Sequence, residues 1–190
     1  MSKSIGNIIT PRELLAEGWQ GETIRYALLS AHYKAPLDWN DDLLEQSQKS
    51  LDRMYGALLR LKDADVVDAE PPAAFVEALA DDLNTPAAVA ELSVLVTNAN
   101  NAKKPADQSK AKAELLAAAK LFGVLQSDPE AWFRESFGAE AAEIDRLVAE
   151  RVAARVAKNY AESDRLRDAL AERGVEVMDS ASGSTWRRKS

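Results

Sequence analysis

The sequence predicts an all-α protein, in which a helical bundle is followed by a small helical hairpin with a short two-stranded tip. Apolar residues recur at spacings of three and four over most of the 190 residues, as they do in helices with one buried face. Capping residues, prolines and glycines divide this pattern into segments of helical length. Only residues 175–188 alternate as short strands do. The hydrophobic share of 46% is ordinary for a chain with a buried core.

Two short helices are expected at the front of the chain. Thr10 is expected to cap the first, with Pro11 at its first position and its end near Glu17. The second covers residues 21–29. Its inward side chains are predicted to be Ile24, Leu28 and Leu29. His32 is the only histidine, and because one histidine cannot build a zinc site, we interpret it as a packing or hydrogen-bonding residue.

The bundle is expected to be built around the longest periodic segment, residues 40–62. Trp39 lies just before this segment and is predicted to pack against its first turn as a hydrophobic staple. The predicted buried face consists of Leu44, Leu51, Met54, Tyr55, Leu58 and Leu59.

The rest of the bundle is rich in alanine, which favours stable, closely packed helices. Three further helices are expected near residues 73–82, 85–101 and 107–122. Between the first two, we interpret Asp81, Asp82 and Asn84 as solvated caps rather than metal ligands. Trp132 and Phe133 follow the bundle and are expected to plug the junction with the last unit.

The last unit is predicted to open with an amphipathic helix that begins at Ala141. Arg151 and Arg155 fall in the same angular sector as its apolar residues, and their spacing of four brings two like charges together. We therefore expect another group to offset this repulsion. The apolar face is predicted to be Ile144, Leu147, Val148, Val152 and Val156.

A second helix is expected to pack against the first and to lead into the tip. Asn159 is predicted to be its cap and Glu162 to complete a capping box, while Gly174 ends it. Its inner face is predicted to be Leu166, Ala169 and Leu170. Two short strands, residues 175–178 and 185–188, are expected on either side of a turn over residues 179–183.

Charge and cysteine content limit the possible functions. The net charge is −7, and residues 1–139 hold 14 basic and 21 acidic side chains, whereas residues 140–190 hold ten of each. This distribution argues against general RNA binding and leaves selective RNA contact open. With no cysteine there is no disulfide and no thiolate metal site. The start is not expected to be a signal peptide, and no apolar run approaches the roughly 20 residues of a membrane-spanning helix.

Motifs at both ends of the chain resemble one family. Arg151-x-x-x-Arg155, then Asp179 and the ending Gly183-x-x-Trp-Arg-Arg188, resemble the C-terminus of cysteinyl-tRNA synthetases. Met1-Ser-Lys-Ser-Ile-Gly-Asn7 resembles the Lys-Met-Ser-Lys-Ser loop of class I aminoacyl-tRNA synthetases, without the first lysine. His32 to Leu37 and Asp81 to Pro86 are also similar to segments of that family. The resemblance covers essentially the whole chain in the right order.

The resemblance implies a domain order and a partial enzyme. Residues 1–36 would form the signature loop and stem-contact helices, residues 37–127 an anticodon-side bundle of the class I synthetase type, and residues 128–190 an anticodon-recognition module. The signature loop would consist of Met1, Ser2, Lys3 and Ser4, and Lys3 would hold the phosphates of ATP. The nucleotide-binding domain and its zinc site are expected in the missing N-terminal part, so no catalytic site is complete and this chain alone is predicted to be inactive.

The resemblance also implies which residues contact tRNA. Arg155, Tyr160, Asp164 and Asp179 are predicted to contact anticodon bases, because tyrosine can stack on a base while arginine and carboxylates can bond base edges. Arg187 and Arg188 are predicted either to contact phosphate or to form a solvated tail. Trp186 is expected to be core. The predicted partner is cysteine tRNA, bound at its anticodon and inner side by a monomeric, cytoplasmic protein with no metal site of its own.

Two other interpretations remain open at this stage. The chain could be a free-standing tRNA- or RNA-binding module, although a signature loop would then serve no purpose. It could instead be part of a related ligase that joins cysteine to an amino sugar. That enzyme shares the front motifs but is not expected to keep an anticodon-reading tail.

Overall fold

The computed structural model describes residues 9–180 and 183–189. Within these ranges it contains nine α-helices and one two-stranded antiparallel sheet, which confirms the predicted all-α architecture with a two-stranded tip. The helices are α1 Pro11–Ala16, α2 Gly21–Leu29, α3 Asp41–Arg60, α4 Ala73–Ala80, α5 Thr85–Asn101, α6 Pro105–Phe122, α7 Pro129–Phe137, α8 Ala141–Val156 and α9 Tyr160–Glu172. A 3₁₀ turn, Gly138–Glu140, joins α7 to α8, and the strands are β1 Val175–Ser180 and β2 Gly183–Arg188.

Helix α3 lies at the centre of the bundle. All six of its predicted core residues are buried, and its cap Asn40 accepts a hydrogen bond from the Leu43 amide at 2.9 Å. Trp39 packs beside Leu43 in a small second core that includes Leu44, as the staple prediction required. Helices α2, α5 and α7 pack against α3, so its apolar face is covered from several sides.

Helix α7 was not predicted as a helix, because its nine residues are too few to establish a period. Its start is nevertheless well defined, since the Asp128 carboxylate accepts hydrogen bonds from the amides of Glu130 and Ala131. Trp132 and Phe133 are almost fully buried, which confirms that they fill the junction. The Trp132 ring stacks on Tyr55 with 4.3 Å between ring centroids.

A chain of polar contacts links α2, α3, α7 and β2. Thr23 donates to the Gln48 side chain, and Gln48 Nε2 donates to Asp52 Oδ1 at 3.0 Å. The same carboxylate oxygen accepts from Trp132 Nε1 at 2.8 Å, and Arg188 Nε lies 3.7 Å from Asp52 Oδ2. Burial raises the pKa of Asp52, and the bonds from Trp132 and Gln48 oppose that rise.

Three residues predicted to face the core are exposed. Leu28 is 56% exposed because the buried arc of α2 is formed by Thr23, Ile24, Tyr26 and Ala27, so Leu28 lies at its margin. Val152 and Val156 are 37% and 79% exposed. The last buried residue of α8 is Arg151, so the end of that helix extends beyond its apolar contacts.

Two capping predictions also need correction. Asn159 caps α9 as expected, but the Glu162 side chain binds Arg165 instead of completing a capping box. Asn84 caps α5, whereas Asp82 is not a cap. The Asp82 carboxylate accepts hydrogen bonds from Tyr33 and Lys34, and its carbonyl lies 3.0 Å from His32 Nε2. This contact fixes the loop after α2 and explains the role of the lone histidine.

Candidate nucleic-acid interface

The predicted base-contacting residues lie at one end of the helical hairpin and on the neighbouring strand. Arg155 is in the last turn of α8, Tyr160 begins α9, and Asp164 follows one turn later on the same face. Asp179 is near the end of β1. Lys3 and the rest of the signature segment lie outside the described residues.

Arg151 and Asp179 form the best-defined ion pair of this region. Arg151 Nη1 and Nη2 each donate to one oxygen of the Asp179 carboxylate at 3.0 Å, which is the two-point geometry that suits a guanidinium. Arg151 is only 7% exposed, whereas the Asp179 side chain is 40% exposed. The pair therefore lies at the boundary between the core and solvent.

Asp179 also binds Arg155 and Ser184. Arg155 Nη1 donates to Oδ2, and Ser184 Oγ donates to Oδ1 at 2.6 Å. Hydrogen bonding from Arg151 is the main cause that holds the pKa of Asp179 well below its usual range, with Ser184 and the charge of Arg155 adding to it. A carboxylate has about four lone-pair positions, so four donors occupy its full capacity.

This arrangement supplies the group that the two arginines were expected to need. The carboxylate lies between the guanidinium groups and offsets their repulsion across one helical turn. Of the two, Arg155 is the accessible one, with a side chain 48% exposed. The structure therefore brings the predicted residues Arg155 and Asp179 into direct contact.

Tyr160 and Asp164 form a separate, solvent-facing pair. Tyr160 is 64% exposed, and the Asp164 side chain is 63% exposed with Arg167 at 3.5 Å. Within the part of the chain that the structure describes, no hydrogen bond or ion pair joins them to Asp179 or Arg155. Exposed Val156 lies four residues before Tyr160, so this end of the hairpin presents apolar and aromatic surface to solvent.

Arg187 and Arg188 lie at the opposite end of the strand pair. In the register of the sheet they face Glu176 and Val175, whereas Asp179 faces Ser184. Arg187 Nη2 is 2.7 Å from Glu176 Oε2. The guanidinium also passes over α3, where a side chain on Gly56 would place its Cβ 2.6 Å from Arg187 Nη1.

Arg188 is held against the end of α7. Its Nη2 donates to the Ser136 carbonyl at 3.0 Å, and its guanidinium carbon is 4.9 Å from the centre of the Phe137 ring. Neither arginine is a freely solvated tail. Trp186 of β2 is 5% exposed, and its Nε1 donates to Asp145 Oδ1 of α8 at 2.7 Å, which confirms it as a core residue.

Sequence reasoning singled out Arg151 without assigning it to the site, and it missed Asp52 as a residue that organises this region. The position of Arg151 on the apolar face of α8 was the available signal, because a cation in that sector is buried and requires a partner. Asp52 gave a weaker signal, since it is an acidic residue inside a helix with a strong apolar face. Over the described ranges, no three His, Cys, Asp or Glu residues are grouped to hold a metal ion, and no helix is long and apolar enough to cross a membrane.

Comparison with known proteins gives matches along the chain. The family model for the tRNA synthetase class I (C) catalytic domain matches residues 1–49, that for the DALR domain residues 74–126, and that for the cysteinyl-tRNA ligase anticodon binding domain residues 139–187. A cysteine–tRNA ligase of Parvibaculum lavamentivorans is 51% identical over 98% of this chain and 41% of its own length. Those of Hyphomonas neptunium and Caulobacter vibrioides are 50% and 51% identical over 99% and 100% of the chain. The chain spans about two fifths of the length of these curated relatives.

Proposed function

The chain belongs to the cysteinyl-tRNA synthetase family, and we propose that it is the tRNA-binding part of an enzyme that joins cysteine to its tRNA with ATP. The partner is cysteine tRNA, bound at its anticodon and along its inner side. ATP is a substrate of the full enzyme, whose zinc lies in the part preceding this chain. The chain is a cytoplasmic monomer. The signature and stem-contact segment is residues 1–36, the bundle is residues 37–127, and the anticodon module is residues 128–190.

The observation that carries this proposal is the contact between Arg155 and Asp179 at the end of the hairpin where α9 begins with the exposed Tyr160. Tyr160 stacks on one unpaired base, and Asp164 accepts a hydrogen bond from a base edge. Both side chains are more than half exposed, so they can reach RNA without rearrangement of the core.

Base recognition by Asp179 requires an exchange of partners. All of its lone-pair positions are occupied, so a base donor must displace one of the present donors. Arg155 is the donor most easily displaced, because its side chain is half exposed while Arg151 is buried. We propose that Arg155 turns to the RNA and that Arg151 keeps Asp179 in position. Arg187 and Arg188 contact RNA phosphate at the opposite end of the sheet.

Two measurements test this function. The chain is titrated with tRNA carrying the cysteine anticodon and with a single-base anticodon variant, at two salt concentrations. Tyr160→Ala is expected to weaken cognate binding by about 1–3 kcal/mol, which is the usual value of base stacking, whereas Tyr160→Phe keeps the ring and the affinity. Leu121→Ala removes a comparably exposed side chain from α6 and serves as the control. Equal affinity for both RNAs under every condition would remove the four base-contact assignments.

The catalytic part of the proposal concerns Lys3 and the signature segment. A single lysine stabilises a transition state only within a positioned set of groups, so this chain is expected to give no ATP–pyrophosphate exchange with cysteine. Exchange above background would contradict this expectation. The amino-sugar ligase is not favoured as an alternative, because the anticodon binding domain model matches residues 139–187.

A further inference from the structure

A basic groove lies between the bundle, the loop after α1 and the C-terminal unit. Its volume is about 620 Å³. Its cationic lining residues are Lys49, Arg53, Arg173, Arg188 and Lys189. Two carboxylates, Glu45 and Asp52, also line it, so the lining is net positive although the chain has a net charge of −7. This local reversal of sign marks the groove as a surface for an anionic partner.

Most of the groove's cations are available to such a partner. Arg53 and Lys189 are exposed, and neither forms an ion pair with another described residue. Lys49 pairs with Glu45 at 3.3 Å, and Arg173 is 3.9 Å from Glu143; all four side chains are at least 42% exposed. Exposed ion pairs contribute about 0–1 kcal/mol, so a phosphate can replace them.

The groove also lies one helix length away from the proposed base-reading face. Helix α9 begins at Tyr160, in the proposed base-reading face, and its 13 residues end just before Arg173 and the groove, a distance of about 20 Å at 1.5 Å per residue. On another side the groove is lined by Trp19, which follows α1. Its position therefore suits an RNA segment that adjoins bases bound at that face.

We propose that this groove holds the sugar–phosphate backbone of the tRNA stem next to the anticodon loop. This inference rests on the proposed function and adds the surface that binds RNA without reading its sequence. Flexible cations suit this role, because phosphate contacts position an RNA and supply most of its salt-dependent affinity. An acidic protein segment is the competing occupant, and it would leave RNA binding unaffected by changes in the groove.

Charge reversal tests the proposal with the whole chain. Arg53→Glu and Lys189→Glu change exposed groove residues, and Lys103→Glu reverses an exposed charge in the turn between α5 and α6 as the control. Affinities are measured for tRNA with the cysteine anticodon and for its single-base variant at about 50 and 200 mM salt. Each groove variant is expected to weaken both RNAs by the same factor. Raising the salt from about 50 to about 200 mM increases the dissociation constant by a certain factor. In a groove variant this factor is expected to be about threefold smaller than in the unchanged protein for each phosphate that the variant no longer neutralises.

A short oligonucleotide that contains only the anticodon loop provides the second arm. Because the groove lies about 20 Å from Tyr160, its variants should leave binding of the loop unchanged. The proposal is overturned if the groove variants bind tRNA as Lys103→Glu does, if they weaken the loop equally, or if they alter only anticodon discrimination. If the unchanged protein shows no anticodon discrimination but the groove variants weaken both tRNAs, the base-reading function fails and the groove assignment stands.

Discussion

Replacing Asp179 with asparagine should destabilise the protein more than replacing Arg151 with methionine. Asp179→Asn leaves the Arg151 guanidinium 7% exposed without its anion and without one of its two bonds. Arg151→Met instead removes the buried charge, puts an apolar side chain in its place and leaves Asp179 in contact with solvent, Arg155 and Ser184. Stranding a buried charge is costly, whereas replacing it with an apolar group of similar size is often close to neutral.

The magnitude follows from burial on each side of the pair. Removing one partner from a fully buried pair costs about 3–5 kcal/mol, but the 40% exposure of the Asp179 side chain reduces this to about 2 kcal/mol. Arg151→Met is expected to change the free energy of unfolding by less than about 1 kcal/mol. Urea unfolding followed by circular dichroism measures both, and 2 kcal/mol corresponds to a midpoint shift of about 1 M.

The pH dependence gives an independent check on Asp179. Its folded-state pKa lies below the ordinary value of 3.8, so the folded protein binds this proton less readily than the unfolded chain. The stabilisation is therefore fully present above that ordinary pKa and is lost as the pH falls below it. The difference between the unchanged protein and Asp179→Asn should be constant from pH 8 to about 5 and shrink below about 4. A larger loss for Arg151→Met, or a difference already absent at pH 5, would refute the reasoning.

Three further substitutions, two in α3 and one at the C-cap of α6, are measured by the same unfolding assay. Asp52→Ala should lower the free energy of unfolding by about 2–3 kcal/mol, because the Trp132 indole N–H loses its acceptor. Asp52→Asn keeps an acceptor and should stay within about 1 kcal/mol of the unchanged protein. Equal losses in the two variants would contradict this role of Asp52. Gly56→Ala should change the free energy of unfolding by less than about 1 kcal/mol, because the gain in helix propensity offsets the displacement of the flexible Arg187 side chain. A loss above about 2 kcal/mol would show that Arg187 cannot move. Gly123→Ala should cost about 1–2 kcal/mol because its φ of 75° is left-handed, and no loss would contradict the strain argument.

Local patterns predicted most of the helices correctly, because those patterns are set within one segment. The bounds of α2 and α5 and the buried face of α3 follow from caps and periodicity. Patterns failed where the neighbour decides the outcome. Val152 and Val156 continue the apolar stripe of α8, yet the sheet meets the end of that helix through polar contacts of Asp179 and not through an apolar surface, so both valines are exposed.

The candidate site was less accessible from sequence than the fold. Periodicity indicated that Arg151 and Arg155 needed a common partner, but Asp179 lies 24 residues beyond Arg155 and only the packed hairpin brings them together. The alternatives for Arg187 and Arg188 could not be separated for the same reason. Their contacts are with Glu176, Ser136 and the surface of α3, all distant in sequence or set by strand register.

The contact between Arg188 and Asp52 limits how this protein can be recombined with its relatives. The last 50 residues look exchangeable, since the hairpin and sheet have their own short-range packing. A chimera that replaced them would nevertheless leave Asp52 buried without a nearby cation unless the donor also supplied an arginine at position 188. It would also need a side chain at position 187 that fits over the bare backbone of Gly56. An exchange of the C-terminal unit therefore has to include matching residues at positions 187 and 188, or matching changes in α3.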